Sequence, residues 1–250
     1  MENIIKSYSD LHAHRVIGEL IKKYSENKED IRETAKKALG WNAVHSILDL
    51  GCGYGWFEDA LDTGFDVILG IDCLDENEPG FLKAAQRIAR KAMFKNMHLP
   101  GPIEMPADYF DLVVSAYSLY FFPEVIPEAK RVLHPEGVFL IITHSESMLE
   151  EGEKFFDFKN LRKVIENFSA ENGESILRKY FKEVIAVDYF NTLVFNKGSG
   201  NDLVRYIDFK REFIAKDVDP LLVREKMLSE LHVRGMARFN KNDRIFIVRK

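Results

Sequence analysis

Short apolar runs alternate with amphipathic stretches through the middle of this chain. Before them, residues 1–44 place apolar side chains at helical spacing: Leu11, Val16, Ile17, Leu20 and Ile21, then Ile31, Ala35 and Leu39. Gly40 reads as a helix stop. From Val44 the pattern changes. Val44 to Leu50, Asp66 to Ile71, Phe110 to Ser115 and Val138 to Thr143 are short apolar runs, as buried strands are. Between them Trp56 to Leu61, Phe81 to Phe94 and Pro127 to Leu133 read as helices. Apolar strands alternating with helices predict a parallel sheet covered on both faces, the doubly wound α/β class. Beyond residue 148 the pattern loosens. Leu149 to Phe168 reads as helical, Val184 to Phe195 as one long strand, Leu203 to Phe213 and Leu221 to Leu231 as amphipathic helices, and Arg244 to Val248 as a closing strand.

The first predicted strand runs into Ile47-Leu48-Asp49-Leu50-Gly51-Cys52-Gly53-Tyr54-Gly55. Glycines at such a turn permit positive φ and let backbone approach a ligand. In a doubly wound sheet this first turn is where a nucleotide-like ligand sits. The dinucleotide fingerprint is G-x-G-x-x-G, whereas this loop is G-x-G-x-G and carries an acid two positions before it. The second strand, Val67-Ile68-Leu69-Gly70-Ile71-Asp72, ends in an acid 21 residues after Gly51. A carboxylate there can accept from both hydroxyls of a ribose; a surface acid on an ordinary turn is the alternative.

Composition narrows the class. The 250 residues suit one large domain, or one domain with a substantial cap. At 46% hydrophobic and 30% charged residues, disorder, collagen and coiled coil are excluded. The net charge of −5 argues against a nucleic-acid partner. From residue 198 onward the balance reverses, with 12 Lys and Arg against 8 Asp and Glu. That stretch is either a solvated helix face or a surface for an anionic acceptor. Two cysteines build neither a disulfide scaffold nor a zinc site, and no metal-ligand spacing occurs. The opening MENIIKSYSD lacks a signal peptide's apolar run, and no apolar stretch reaches the ~20 residues of a membrane span. The expectation is a soluble, cytoplasmic protein without a membrane partner.

The glycine loop and the acid ending the second strand resemble those of class I S-adenosylmethionine-dependent methyltransferases. Phe110-Asp111-Leu112-Val113-Val114-Ser115 is similar to that family's fourth strand. Arg131-Val132-Leu133-His134-Pro135-Glu136-Gly137-Val138 is similar to the turn before its fifth strand. The resemblance implies a Rossmann-like, doubly wound seven-stranded sheet, mostly parallel with one antiparallel strand, plus a helical cap. It implies residues 44–195 and 244–250 as the cofactor-binding core. Residues 1–43 and the insert 196–243 are expected to cap the acceptor site.

The resemblance also implies roles. Asp49 holds the loop or the cofactor's amino group, and Gly51, Cys52 and Gly53 let backbone approach its methionine part. Asp72 binds the ribose, Cys73 and Leu74 flank the adenine, and Ser115 and Ala116 offer backbone carbonyls. Many relatives place an acid against the adenine in a Gly-Asp-x-Glu-x-Leu-Pro pattern; here Gly101-Pro102-Ile103-Glu104-Met105-Pro106 puts Pro102 at that acid's place. Adenine is then read by backbone groups or by Glu104. Cys52 and Cys73 fit small residues packed beside a cofactor, or redox sensors.

Methyl transfer from a sulfonium needs an aligned nucleophile and exclusion of water, with a general base only where the acceptor must lose a proton. Candidates belong at the carboxyl ends of the strands. Tyr117 and Tyr120 follow the fourth strand and fit either acceptor positioning or an aromatic cluster. His144 ends the fifth strand and is the histidine best placed for a base. Tyr8 and His12 lie on the segment expected to close the site. An Asp/Asn-Pro-Pro-aromatic signature, a cysteine after the fourth strand and an acid ending the fifth are all absent. Their absence argues against exocyclic-amine, cytosine-C5 and metal-dependent catechol chemistry. The reading is a methyltransferase for an enclosed small molecule, giving S-adenosylhomocysteine as product. RNA or protein acceptors, a non-catalytic cofactor-binding module and a nicotinamide oxidoreductase are the alternatives.

Overall fold

The computed structural model describes residues 10–62, 64–153, 159–210 and 219–250. The chain divides into two compact units. The larger contains residues 31–144, 166–189 and 243–250. Its seven strands are β1 (Ser46–Leu50), β2 (Phe65–Asp72), β3 (Ala89–Asn96), β4 (Phe110–Ala116), β5 (Leu133–His144), β6 (Glu183–Tyr189) and β7 (Asp243–Arg249). Their order across the sheet is β3-β2-β1-β4-β5-β7-β6. The ladders from β3 to β5 are parallel, and β7 runs antiparallel to both β5 and β6. Six strands therefore share one direction and one opposes them, as the resemblance implies. All five residues of β1 are buried, Asp49 among them, so the strand reads as a mostly apolar run. Ile31, Ala35 and Leu39 pack into this unit's core with Ile47, Phe81 and Ile245.

Four predicted elements differ, the last of them in the smaller unit. Phe81 to Phe94 reads as one helix, but the helix spans Glu78–Gln86 and Ala89–Asn96 is edge strand β3. Lys and Arg suit an exposed helix face and an edge strand equally, and the parallel ladder to β2 decides between them. Trp56 to Leu61 contains only a 3-10 turn, Glu58–Ala60. The long strand Val184 to Phe195 is broken after Tyr189; Thr192–Asn196 belongs to a separate two-stranded sheet with Met236–Asn240. Buried Asn191 marks the break, where its amide nitrogen donates to Ser25 Oγ at 2.8 Å.

The smaller unit contains residues 1–30, 145–165 and 190–242. Asp10 caps its first helix, Leu11–Tyr24, by accepting from the Ala13 N–H at 2.9 Å. Tyr24 stacks on Phe195 of the two-stranded sheet, with ring centroids 4.3 Å apart, and Phe195 in turn meets Tyr206 and Phe239. Helices Gly200–Phe209 and Pro220–Arg234 complete the unit. The predicted helix from Leu149 appears as a 3-10 turn, Glu150–Gly152, and a helix, Lys159–Ile165, and the reading of 154–158 lies outside the described residues. So does the predicted end of the Leu203 helix at 211–213.

Candidate active site

The glycine loop leaves β1 with Gly51 at φ +71° and Gly53 at φ +52°, both in the region that side chains disfavour. The two glycines serve different neighbours. A Cβ on Gly51 would lie 2.5 Å from the Ser118 Cβ, so Gly51 is where the loop after β4 packs onto the loop after β1. A Cβ on Gly53 would meet nothing within 4 Å, so this glycine faces open space. Ser118 joins the two loops by donating to the Leu50 carbonyl at 2.6 Å, and it lies 2.6 Å from the Ser115 hydroxyl.

Asp72, at the tip of β2, accepts from the Gly53 N–H at 2.9 Å through one oxygen. Its other oxygen accepts from the Leu74 N–H at 2.9 Å and from Asn77 Nδ2 at 3.2 Å. The acid that ends the second strand thus fixes the glycine loop and its own turn, and an ionised carboxylate has about four acceptor positions in all. Its oxygens beside an open glycine backbone suit a hydroxyl-bearing ligand on the Gly53 side, and in this respect the residues fit an adenosyl group. The β1–β4 ladder ends at Asp49–Val114, which leaves the backbone of Ser115 and Ala116 beyond it.

Asp49 is buried, and burial, then the neighbouring Glu58 charge, pushes its carboxyl well above the ordinary range. Cys52 is buried against Gly70 and Phe81. Burial, then nearby acids, pushes the thiols of buried Cys52 and half-buried Cys73 up, which disfavours the thiolate at both. Glu104 is an exposed residue ion-paired to Lys95 Nζ at 2.6 Å. Its neighbour Ile103 is the buried one, and the Ile103 N–H donates to Glu128 Oε1 at 2.8 Å. The Arg131 guanidinium grips the same stretch through the carbonyls of Met105 and Ile103 at 2.9 and 2.8 Å.

Across the sheet, β5 and β7 bring together a second group. His144 Nδ1 lies 2.7 Å from Asp243 Oδ1, and Tyr117 donates its hydroxyl to Asp243 Oδ2 at 2.7 Å. The Tyr117 and His144 rings stack with centroids 4.5 Å apart. Tyr120 lies 5.8 Å from His144 and its carbonyl accepts from Asn167. Trp56, just past the glycine loop, lies 5.5 Å from Tyr117. Tyr117 holds φ at +59°, the kind of strained backbone that concentrates at functional sites. Burial and the Asp243 charge push its phenol well up, so it stays a hydrogen-bond donor.

The sequence thus locates His144, Tyr117 and Tyr120, and the fold brings these three together. It does not point to Asp243 or Glu58. Asp243 becomes visible only through the antiparallel register, which sets the start of β7 opposite the end of β5. Glu58 sits in a stretch that reads simply as a helix, Trp56 to Leu61, with no sign of a buried acid. His12 lies exposed on the helix Leu11–Tyr24 of the smaller unit, and Tyr8 lies outside the described residues. Among the described residues no group of three acidic, His or Cys side chains could hold a metal.

Comparison with known proteins agrees with this geometry. The sequence matches the methyltransferase-domain family over residues 10–184. An uncharacterized methyltransferase of Schizosaccharomyces pombe is 28% identical over 130 residues, which is 48% of either chain. The chain therefore spans about half the length of this curated relative. A methyltransferase structure from Bacillus halodurans, 13% identical, superposes with a TM-score of 0.56 over 88% of this chain and 98% of that one. The [4+2]-cyclase SpnF, 16% identical, superposes with a TM-score of 0.54 over 88% and 79%. At these identities the structural likeness is one of fold alone, and this fold carries more than one chemistry. With its family match, its 3-2-1-4-5-7-6 sheet and its glycine loop tied to Asp72, the chain belongs to the class I S-adenosylmethionine-dependent methyltransferase-domain family.

Proposed function

We propose that this protein methylates an enclosed small molecule and that His144, oriented by Asp243, accepts the acceptor's proton. The observation that carries this reading is the buried Tyr117–Asp243–His144 group at the carboxyl end of β5. A carboxylate accepting from Nδ1–H fixes the imidazole tautomer and makes Nε2 the basic nitrogen. His144 is only 9% exposed, so an acceptor atom reaches it more readily on a compact molecule than on a polymer. Tyr117 and Tyr120 supply aromatic walls that orient the acceptor and exclude water. When bound, the cofactor supplies an activated methyl group.

On this reading Asp72 holds the ribose hydroxyls and Gly53 presents its open backbone. Asp49 faces the amino group, Cys73 and Leu74 flank the adenine, and Ser115 and Ala116 offer carbonyls. Because Glu104 is committed to Lys95, backbone groups near Ile103 are the better adenine contacts. The chain leaves the larger unit after His144 and after Tyr189 and returns at Asp243. These are strand ends at the edge where open sheets bind ligands. The N-terminal segment 1–43, with Tyr8 and His12, and the insert 196–243 are the proposed acceptor cap. The insert carries 10 Lys and Arg against 8 Asp and Glu, a small basic surplus that favours an anionic acceptor. Among the described residues no helix is long and apolar enough to cross a membrane.

The test is to incubate purified protein with methyl-labelled cofactor and fractionated extract. Label in the low-mass fraction supports the reading and yields a compound to identify. Label in RNA or protein overturns the small-molecule assignment. Confirmed cofactor binding with no labelled fraction favours a non-catalytic binding module.

A further inference from the structure

Two carboxyl groups lie behind the glycine loop with no cation paired to them. Asp49 is 2% exposed and Glu58, on the turn just beyond the loop, is 0% exposed. Asp49 Oδ1 and both Glu58 oxygens are sealed from solvent, and no third side chain reaches them with a hydrogen bond. Two bare acids in one apolar place cannot both be ionised cheaply. Burial pushes Asp49 well up, and the Glu58 charge, a side-chain bond to Glu58 and the Asp72 charge push it further. Burial pushes Glu58 up to about 7, with Asp59 adding to the rise; its own backbone N–H and Asp49 pull against it.

The surrounding cations do not answer this charge. Arg87 donates to the carbonyls of Glu58, Asp59 and Leu61. Arg32 donates to the Trp56 carbonyl, and Lys36 to the Ala60 carbonyl. All three reach this turn through backbone oxygens. Cys52, the remaining titratable neighbour, is a neutral thiol pushed up by burial and by the same acids.

We propose that Asp49 and Glu58 share a proton behind the glycine loop and that binding of the positively charged methyl donor expels it. Glu58 is then a specificity-determining residue that favours the donor over its product. The donor carries a sulfonium, an ammonium and a carboxylate, for a net single positive charge. The product has lost the sulfonium charge and is a net-neutral zwitterion. In the balanced step the O–H bond of the shared proton breaks, the electron pair stays on the carboxylate that held it and the proton goes to solvent. With product bound the second negative charge loses its counterion, the pair takes a proton back and the product is held less tightly. This inference rests on the cofactor placement proposed above.

Calorimetry of the full chain separates the two. Donor and, separately, product are titrated at pH 7 in phosphate and in Tris, whose ionisation heats differ widely. We expect release of on the order of one proton per donor bound, and fewer per product. Donor affinity should rise up to about tenfold per pH unit from pH 6 and level off near pH 8. Glu58→Gln should still bind donor, with heats independent of buffer and a donor-to-product affinity ratio at least about threefold smaller. Buffer-independent heats in the natural protein, equal proton release by donor and product, or unchanged release in the variant would each overturn the proposal. Absence of any donor binding heat would instead overturn the cofactor placement. If the variant does not fold, the buffer pair and the pH series on the natural protein decide alone.

Discussion

Asp243 stands opposite His144 in the antiparallel β5–β7 ladder, and its carboxylate lies 2.7 Å from the His144 Nδ1 nitrogen. Its second oxygen accepts from Tyr117, so the carboxylate is held from two sides. A histidine oriented in this way is a base whose tautomer is set before the acceptor arrives. Replacing Asp243 with Asn removes that preference while nearly preserving shape. Turnover should fall by about 10²–10⁴-fold with donor affinity within about twofold of the natural protein. Steady-state kinetics beside donor calorimetry checks this; turnover within threefold of normal would refute the base assignment.

The two glycines of the loop should respond oppositely to alanine. Gly51→Ala places a methyl 2.5 Å from the Ser118 Cβ at a φ of +71°, so stability should fall by about 2–4 kcal/mol. Adding Ser118→Ala should recover part of that loss. Gly53→Ala has φ +52° and open space, so its stability cost should be only about 1 kcal/mol. Its methyl nonetheless occupies the space assigned to the cofactor, and donor affinity should drop by at least about tenfold. Urea titrations paired with donor titrations distinguish the two behaviours.

Asp72 is committed to Gly53, Leu74 and Asn77 and is proposed to hold a ribose as well. Three of its acceptor positions are taken, so Asp72→Ala removes about one charge-assisted bond to that ribose, worth about 1.5–3 kcal/mol. Donor affinity should fall by at least about tenfold, with a smaller loss of thermal stability from the freed loop. An affinity unchanged by the substitution would remove Asp72 from the cofactor site.

Glu58 makes stability depend on pH in a stated direction. Its carboxyl is raised from 4.5 to about 7, so the folded chain keeps a proton that the unfolded chain has lost. Stability should therefore decline as pH rises from 4.5 toward 7, by up to about 3 kcal/mol from this group. Glu58→Gln has no such proton to lose. Its stability relative to the natural protein should improve between pH 5 and pH 7 and level off above that, and parallel curves would show that Glu58 does not titrate in this window.

Much of this protein is legible along the chain. Apolar runs such as Val138–Ile142 mark the core strands, because a strand buried on both faces has few polar positions. The glycine loop and the acid at Asp72 are legible because both requirements, positive φ and a carboxylate at a strand tip, depend on local chemistry. His144, Tyr117 and Tyr120 could be named because strand ends mark where ligands bind. The family match and the sheet order agree with the expected family and fold.

Tertiary structure alone decided the rest. Ala89–Asn96 became strand β3 because a parallel partner was available, which no local propensity records. Asp243 acquired its role from register, facing a histidine 99 residues away. Glu58 acquired its raised affinity for a proton from burial beside Asp49, and Gly51 acquired its necessity from the nearness of Ser118. Backbone propensity and apolar periodicity act between neighbours in the chain, so a sequence displays them. Pairing, register and desolvation act between residues that meet only after folding.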